Sequence, residues 1–306
     1  RGLGDVYKRQ YRQRGNRYGG NLYYVATPGK GTSYTVDLNY AWFDGGSGNM
    51  QPNSYRTPAG DLVQENLYNS VNGRNIHIYS LAYDQQHPLW QGELRSGLKY
   101  SGVDADNDFR FYRVEGDVSL LDNTRSNDFT YREQILAAYL LYNHRWGNWG
   151  FEAGVRGEYT FSDGILRTVS PSDGERNRKE YFDLFPSLRL DYRWNGGDVL
   201  SLSYASRIDR PAYQDLNPFE YLLDELSYWK GNPFLVPQKT HSLSLTYVRQ
   251  KTSLMASYAY MQDYRAQITD TLSVDKVVMT PRNIGRQQRV SLSLSLIHIS
   301  EPTRPY

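Results

Sequence analysis

Segments of about ten residues in which every second residue is apolar or aromatic recur along this sequence. In the clearest of them, residues 151–161, Phe, Ala, Val, Gly, Tyr and Phe alternate with Glu, Gly, Arg, Glu and Thr. Successive side chains of a β-strand point to opposite faces, so one face of this strand is apolar and the other is charged. Strands of about nine to eleven residues are what a membrane-spanning barrel requires, whereas strands of soluble sandwiches are usually about half as long.

The same pattern predicts about eleven strands, joined alternately by tight turns and long polar loops. Tight turns are predicted at residues 28–31, 87–90, 147–148, 195–198 and 250–252. Long loops are predicted at residues 44–73, 102–128 (with a hairpin near 109–121), 162–180, 208–238 and 262–286. Outer-membrane barrels sort short turns and long loops to opposite ends in this way. The sequence therefore predicts an all-β fold, an antiparallel transmembrane β-barrel of the outer membrane.

Aromatic and charged residues agree with this topology. Trp90, Trp146, Trp149 and Trp194 all lie beside predicted short turns, where a ring of interfacial aromatic residues is expected. A charged side chain on the lipid side costs about 2–4 kcal/mol at the bilayer midplane, so the charged positions of the strands are expected to face the lumen. The predicted lumen-facing residues are Arg95, Lys99, Arg156, Glu158, Arg189, Asp191 and Arg193.

The two ends of the chain encode one short DNA sequence on opposite strands. Residues 1–10 back-translate to CGTGGGCTCGGAGATGTGTATAAGAGACAG, and the reverse complement of this DNA encodes residues 294–303. We interpret residues 1–10 and 294–306 as translated sequencing-adapter DNA, and residues 11–293 as a partial barrel domain from a longer gene. Without these ends the formal net charge falls from +2 to zero, so the composition predicts no nucleic-acid partner.

The composition also argues against several other classes of protein. Mean hydropathy is −0.70 and no run of 18 apolar residues occurs, which excludes a helical membrane protein. The sequence has no cysteine, and its histidines show no metal-ligand spacing, so neither a metal site nor a cofactor is predicted. His144 and His241 are conceivable members of a hydrolytic constellation, but no local signature supports one, and we predict that the protein is not an enzyme.

The predicted loop at residues 208–238 carries a family resemblance. Residues 210–219 read Arg-Pro-Ala-Tyr-Gln-Asp-Leu-Asn-Pro-Phe, and residues 230–237 read Lys-Gly-Asn-Pro-Phe-Leu-Val-Pro. These motifs resemble the β-barrel of TonB-dependent receptors, and most closely the outer membrane protein beta-barrel family related to SusC-type nutrient porters. The resemblance implies a barrel of about 22 strands, of which this chain would supply about half.

The resemblance also implies a function and partners. In that family a plug domain couples the barrel to the TonB system, and extracellular loops capture a ligand such as a glycan, siderophore or peptide. A surface lipoprotein is a further expected partner, besides the lipid of the outer membrane. Within the loop, the residues expected to contact ligand are Tyr213, Asn217, Phe219, Tyr228, Trp229, Asn232 and Phe234. The alternative is that these aromatic residues only pack the loop, and that the protein is a non-transporting structural or assembly barrel.

Overall fold

The computed structural model describes residues 10–168, 175–218, 220–223, 226–273 and 276–296, and consists almost entirely of β-strands. Its elements, in chain order, are β1 (Gln10–Gly29), β2 (Thr32–Arg56), β3 (Leu62–Leu89), β4 (Gly92–Glu115), β5 (Val118–Leu121), β6 (Asn127–Trp146), β7 (Trp149–Thr168), β8 (Glu175–Arg193), β9 (Val199–Asp209), α1 (Tyr213–Leu216), β10 (Glu220–Leu222), β11 (Ser227–Lys230), β12 (Gln238–Arg249), β13 (Thr252–Gln262), β14 (Arg265–Ser273), β15 (Lys276–Asn283) and β16 (Gln287–Leu296). Within the described ranges, no helix is both long enough and apolar enough to cross a membrane.

Eleven strands form one antiparallel sheet in the order β1-β2-β3-β4-β6-β7-β8-β9-β12-β13-β16, and β5 adds a short hairpin to β4. This path confirms the predicted number of main strands and their antiparallel meander. The sheet runs from β1 to β16 without closing on itself, as expected for part of a barrel. The pairing includes Gln10 in β1 and Leu294–Leu296 in β16, so residues assigned to the two adapter segments continue strands here.

A continuous apolar belt crosses the sheet. In one row of the belt each residue pairs directly with the next across β1–β8, and all are 38–71% exposed. This row consists of Leu22, Leu38, Leu81, Tyr100, Leu136, Tyr159 and Phe182. So large an exposed apolar surface is unstable in water and matches the hydrocarbon of a bilayer. We call this face of the sheet the belt face and the opposite one the reverse face.

The height of the belt matches a membrane. On β7, every second residue from Trp149 to Phe161 lies on the belt face, and each of these residues is apolar or glycine. Twelve steps of about 3.3 Å give about 40 Å along the strand, or about 30 Å along the membrane normal at a tilt of about 40°. That is the thickness of the hydrocarbon core. Beyond it the belt face becomes charged, as where Arg132 pairs with Asp104 at 3.6 Å.

The strands are much longer than predicted. Residues 44–56 and 62–73 continue β2 and β3, and most of the predicted loops at 102–128 and 162–180 is also strand. The predicted loops are wrong here because a ladder of hydrogen bonds needs no apolar alternation when both faces are polar. As a result β2 and β3 are joined by only five residues, Thr57–Asp61, so the predicted sorting of short and long connections by residue count fails at this position.

The tight turns and their tryptophans lie as predicted. Residues 30–31, 90–91, 147–148, 195–198 and 250–251 join neighbouring strands at one end of the sheet. In the turn at 195–198, Trp194 N donates to Asp198 O at 3.0 Å, and Gly197 supplies the φ of +90° that the turn needs. Trp149, Tyr192 and Trp194 form a ring cluster at this end, with centroids 4.7–4.8 Å apart. Such clusters are typical of the aromatic girdle of a barrel.

The two long connections at the other end share a small second sheet, which the sequence did not predict. Its strand order is β10-β11-β15-β14. Strand β11 pairs in parallel with β15, from Ser227↔Val277 to Trp229↔Met279. The connection between β9 and β12 and the one between β13 and β16 therefore form one structural unit. The hairpin predicted near residues 109–121 is present as β4–β5.

Candidate functional site

The connection between β9 and β12, called here the 210–237 segment, folds back over the reverse face of the sheet. Arg210 fixes its beginning: its Nη2 donates to Glu158 Oε2 at 2.7 Å and to Thr160 Oγ1 at 2.8 Å. The guanidinium also lies over the ring of Tyr181, 6.0 Å from its centroid. Glu158 and Thr160 are both buried. The segment therefore begins with a charged anchor inside the fold, and not at an exposed loop tip.

A small apolar cluster holds the middle of the segment. Leu216 and Leu235 pack against Ala105, Phe129 and Tyr131 of β4 and β6, and Leu235 is only 1% exposed. Burial of a leucine side chain contributes about 1.5–3 kcal/mol. Burial, together with the neighbouring carboxylate of Glu133, raises the pKa of the Tyr131 hydroxyl, which donates to Glu133 Oε2 at 2.9 Å. The cluster thus combines an apolar anchor with a satisfied polar edge.

Lysine and asparagine side chains of β8 hold the backbone of the segment. Lys179 Nζ donates to Pro233 O at 2.8 Å and to Leu235 O at 2.6 Å, and Asn177 also donates to Pro233 O. Burial lowers the pKa of the Lys179 ammonium. Residues 231–237 are neither strand nor helix, so their carbonyl groups have no ladder partner, and these side chains satisfy two of them.

The second Asn-Pro motif, Asn232-Pro233, fixes the turn that the 210–237 segment makes at these residues. Asn232 N donates to Asp215 O at 2.6 Å, its Oδ1 accepts from Phe234 N at 3.0 Å, and its Nδ2 donates to Pro281 O at 3.2 Å. Gly231 lies so close to α1 that a Cβ there would be 2.1 Å from Asn217 O. The Lys-Gly-Asn-Pro motif is therefore required by close backbone packing.

A cavity of about 400 Å³ lies between this segment and the extended parts of β2, β3 and β4. The strands contribute polar and aromatic side chains of the reverse face, and the segment contributes Tyr213, Gln214, Asn217, Leu223 and Trp229. The volume is in the range of small-ligand sites. We call it the first cavity.

A second cavity, of about 300 Å³, lies on the other side of Leu216. Phe129, Tyr131 and Leu166 form one wall, Phe234 forms part of another, and Lys179 contributes a cation. This cavity is more apolar and shares the buried cluster that anchors the segment, so its lining also has a structural role.

The structure separates the predicted ligand-binding residues into three groups. Tyr213, Asn217 and Trp229 line the first cavity, and Phe234 lines the second. Asn232 is occupied by contacts within the fold, and the buried Tyr228 lies under Lys276, whose Nζ is 5.8 Å from the ring centroid. Phe219 lies outside the described residues.

The seven predicted lumen residues all lie on the reverse face. The pairing registers connect Lys99 through Ala137 to Glu158, and the strand alternation places the other five on the same side. Most are neutralised by a neighbour on the same strand, as where Arg189 donates to Asp191 at 2.9 Å and Arg156 donates to Glu158. These pairs make the reverse face of the belt half polar.

Sequence reasoning missed the half of the first cavity that the strands provide. Gln51, Tyr68, Asn107 and Phe109 lie in stretches predicted to be loops, and Arg74 lies at the beginning of a predicted strand. One signal was present in the sequence. Every second residue is polar or aromatic at positions 107, 109 and 111, and again at positions 68, 70, 72 and 74. This is a strand pattern whose buried face mixes polar and aromatic residues. In the described ranges no group of three or more metal-ligating side chains occurs.

Known structures share this fold. The copper transporter OprC superposes with a TM-score of 0.51 at 12% identity, over 94% of this chain and 51% of that one. The ferric citrate transporter FecA gives 0.53 at 14%, over 93% and 39%, and the siderophore receptor PiuA from Acinetobacter baumannii gives 0.59 at 12%, over 92% and 44%. The chain thus spans about half the length of these proteins or less. No curated protein matches the sequence.

The sequence also matches the model of a protein family. The model described as the outer membrane protein beta-barrel family covers residues 27–298, which is most of the chain. The match includes β2–β16, and with them the 210–237 segment and the second sheet. Together with the open antiparallel sheet and its apolar belt, it places the protein in the outer membrane. The chain belongs to the outer membrane protein beta-barrel family.

Proposed function

We propose that the chain is the ligand-binding part of a TonB-dependent receptor that imports its ligand through the outer membrane. The observation that carries the proposal is the 210–237 segment, which folds onto the reverse face and encloses the first cavity there. A purely structural barrel needs no such cavity. The likeness in fold to proteins named as transporters and receptors supports the same conclusion.

The proposal has a specific architecture. The reverse face lines the lumen, and Arg95, Lys99, Arg156, Glu158, Arg189, Asp191 and Arg193 solvate it. The complete barrel has about 22 strands, and a plug domain encoded with it contacts TonB. A surface lipoprotein of the SusC-type systems is a further proposed partner. Residues 1–10 and 294–306 are proposed to be adapter sequence, which assembly of the locus from adapter-trimmed reads tests directly.

Orientation of the two faces is tested with single cysteines in the full-length protein. The 306 residues contain no cysteine, and any cysteine elsewhere in the full-length protein is first replaced by serine. Lys99→Cys is expected to react with a water-soluble, membrane-impermeant maleimide. The outer-membrane vesicles are permeabilised so that the reagent reaches both surfaces of the membrane. Leu98→Cys, its neighbour on the belt face, is the matched control and is expected to be protected by lipid. Equal labelling of both positions contradicts the assignment of the reverse face to the lumen.

Coupling to TonB is tested in cells. Deletion of the gene is expected to abolish growth on at least one sole carbon or iron source, and deletion of tonB is expected to give the same defect. Cross-linking of the full-length protein to TonB is expected to increase when that nutrient is present. Normal growth on every source combined with a leaky envelope contradicts transport and favours the structural alternative.

A further inference from the structure

The second cavity combines apolar walls with a single lysine whose charge is not compensated. We propose that this cavity binds a small apolar carboxylate, either an aromatic acid or a medium-chain aliphatic acid, whose carboxylate accepts from the Lys179 ammonium. The proposal is independent of transport, because it assigns a ligand to a site apart from the first cavity. Three features carry it: the apolar walls, an exposed ring in one of them, and the chemical surroundings of Lys179.

The walls of the second cavity are apolar on both sides. Phe129 and Tyr131 of β6 and Leu166 of β7 come from the reverse face, and Leu216 and Phe234 come from the 210–237 segment. In another protein, an engineered cavity of about 150 Å³ with leucine, isoleucine and phenylalanine walls stays dry and binds benzene. With a volume of about 300 Å³, the second cavity has room for a ring or a short alkyl chain and for a polar group beside it.

One wall of the cavity exposes an aromatic ring to water. Phe234 lines the cavity and is 75% exposed, whereas its neighbour Leu235 is buried in the apolar cluster. Transfer of apolar surface from water to an apolar contact is favourable in proportion to its area. An apolar molecule in the cavity therefore gains by covering part of the Phe234 ring.

Lys179 supplies the charge that selects the ligand. Its Nζ donates to Pro233 O and Leu235 O, which uses two of the three donors of an ammonium. Both acceptors are neutral, and within the described part of the chain no carboxylate forms an ion pair with Lys179. Burial of an unpaired charge is costly, and a carboxylate that accepts from an ammonium forms a strong, charge-assisted hydrogen bond. An anionic ligand group compensates this cation.

The other charged side chains of the lining do not take over this role. Arg176 donates from Nη2 and Nε to Asp163 at 2.8 and 2.9 Å, so its charge is already paired, and Glu175 is exposed. One free cation beside apolar walls suits a ligand with one negative charge. A multiply charged anion needs more cations, and a neutral apolar molecule leaves Lys179 as it is.

The test measures equilibrium binding to the purified full-length protein in lipid nanodiscs, with empty nanodiscs as the blank for partition into lipid. The probes are 3-phenylpropanoate and octanoate, each compared with its own neutral amide. We expect at least one of the two carboxylates to bind, and to bind about tenfold more tightly than its amide or better. The measurement needs no energy source, so it decides this proposal separately from transport.

A cavity-filling variant locates the bound probe. In Gly164→Leu the added Cβ lies 3.6 Å from Phe129 Cε2 and 3.7 Å from Tyr131 Cδ2, which are ordinary van der Waals distances. The rest of the leucine side chain fills the cavity, so binding is expected to be lost while thermal unfolding shows a folded protein. Gly20→Leu, on the belt face of β1 with no atom within 4 Å of the added Cβ, is the matched control and is expected to bind normally.

A charge variant tests the role of Lys179. Lys179→Gln removes the positive charge but keeps N–H donors for the segment backbone, and is expected to weaken binding of the carboxylate about tenfold. Lys230→Gln removes the charge of an exposed lysine that pairs with Glu220 at 3.0 Å, and is expected to leave binding unchanged.

Three outcomes overturn the proposal: neither carboxylate binds, the amides bind as tightly as the acids, or a folded Gly164→Leu variant binds as well as the wild type. If Lys179→Gln fails to fold, the comparison of acid with amide in the wild type, together with Gly164→Leu, still decides the proposal.

Discussion

The half of the sheet next to the tight turns and the half beyond the belt are built from the same strands but are stabilised differently. In the belt half, one face is apolar and the other carries ion pairs such as Arg189–Asp191. In the extended half, the belt face carries the ion pairs, such as Arg176–Asp163, and the reverse face packs against the 210–237 segment. The comparison shows that contact with lipid determines the residue pattern of the belt half, whereas tertiary contacts determine the residue pattern of the extended half.

The largest expected effect separates the two halves on a single strand. Leu140→Arg places a charge in the belt of β6 and is expected to destabilise the protein by about 2–4 kcal/mol, because the guanidinium enters hydrocarbon. Gln134→Arg, on the same face at the edge of the belt, is expected to cost about 0–1 kcal/mol. Denaturant unfolding in lipid vesicles measures both. Equal costs would show that the belt does not end where the apolar row ends.

The next effect tests the charged anchor of the extended half. Arg210→Ala leaves the buried Glu158 with only Arg156 and is expected to cost about 2 kcal/mol. Arg178→Ala breaks the exposed pair with Glu180 and is expected to cost under about 1 kcal/mol. Thermal unfolding and limited proteolysis within residues 211–237 measure the difference. A segment that remains protease-resistant in Arg210→Ala would show that Arg210 is not its anchor.

A smaller effect tests the close packing inside the segment. Gly231→Ala forces a Cβ against Asn217 O and Asp215 O, and is expected to cost about 1–2 kcal/mol as the backbone shifts. Gly196→Ala lies in a tight turn with no atom within 4 Å of the added Cβ and is the control. Thermal unfolding of both variants checks this. A neutral Gly231→Ala would mean that α1 moves freely away from the motif.

The smallest effect is a pH dependence confined to the extended half. Hydrogen bonds from Arg176 lower the pKa of the Asp163 carboxyl below its usual value of about 3.9. Because the folded-state pKa is lowered, the stabilisation is fully present above that usual value and is lost as the pH falls through the lower one. Amide hydrogen exchange at residues 163–168 and 175–178, corrected for the intrinsic exchange rate at each pH, is expected to become faster below about pH 4. Asp163→Asn is expected to show this faster exchange already at neutral pH.

The belt half could be predicted well from the sequence, because one face of its strands is in contact with lipid and the other is polar. This difference produces the alternation of apolar and polar residues. Alternation at residues 151–161, the turn at 195–198 and the tryptophans beside the turns are all present as expected. The extended half was predicted as loops because residues such as Ser70, Asn72 and Asn107 carry no apolar signal. Their burial depends on the 210–237 segment, which lies about a hundred or more residues away in the sequence, and no local pattern reports such a contact.

The candidate site was half predictable for the same reason. The family resemblance led to Tyr213, Asn217 and Trp229, which line the first cavity, but the opposite wall comes from strands that the pattern did not reveal. Asn232 was expected to bind ligand, and the structure gives its side chain contacts within the fold. A residue type suited to recognition is equally suited to holding a turn, and only the three-dimensional contacts distinguish the two roles.

The parallel pairing of β11 with β15 has a consequence for how this protein can diversify. Asn283 of β15 adds a second link between the two connections, because its Oδ1 accepts from Val236 N at 3.0 Å and its Nδ2 donates to Val236 O at 3.1 Å. Transplanting either connection alone from a relative would expose an orphaned strand edge. Changes in these two connections therefore have to be inherited as a matched pair, so a chimaera with a relative has to exchange both connections together.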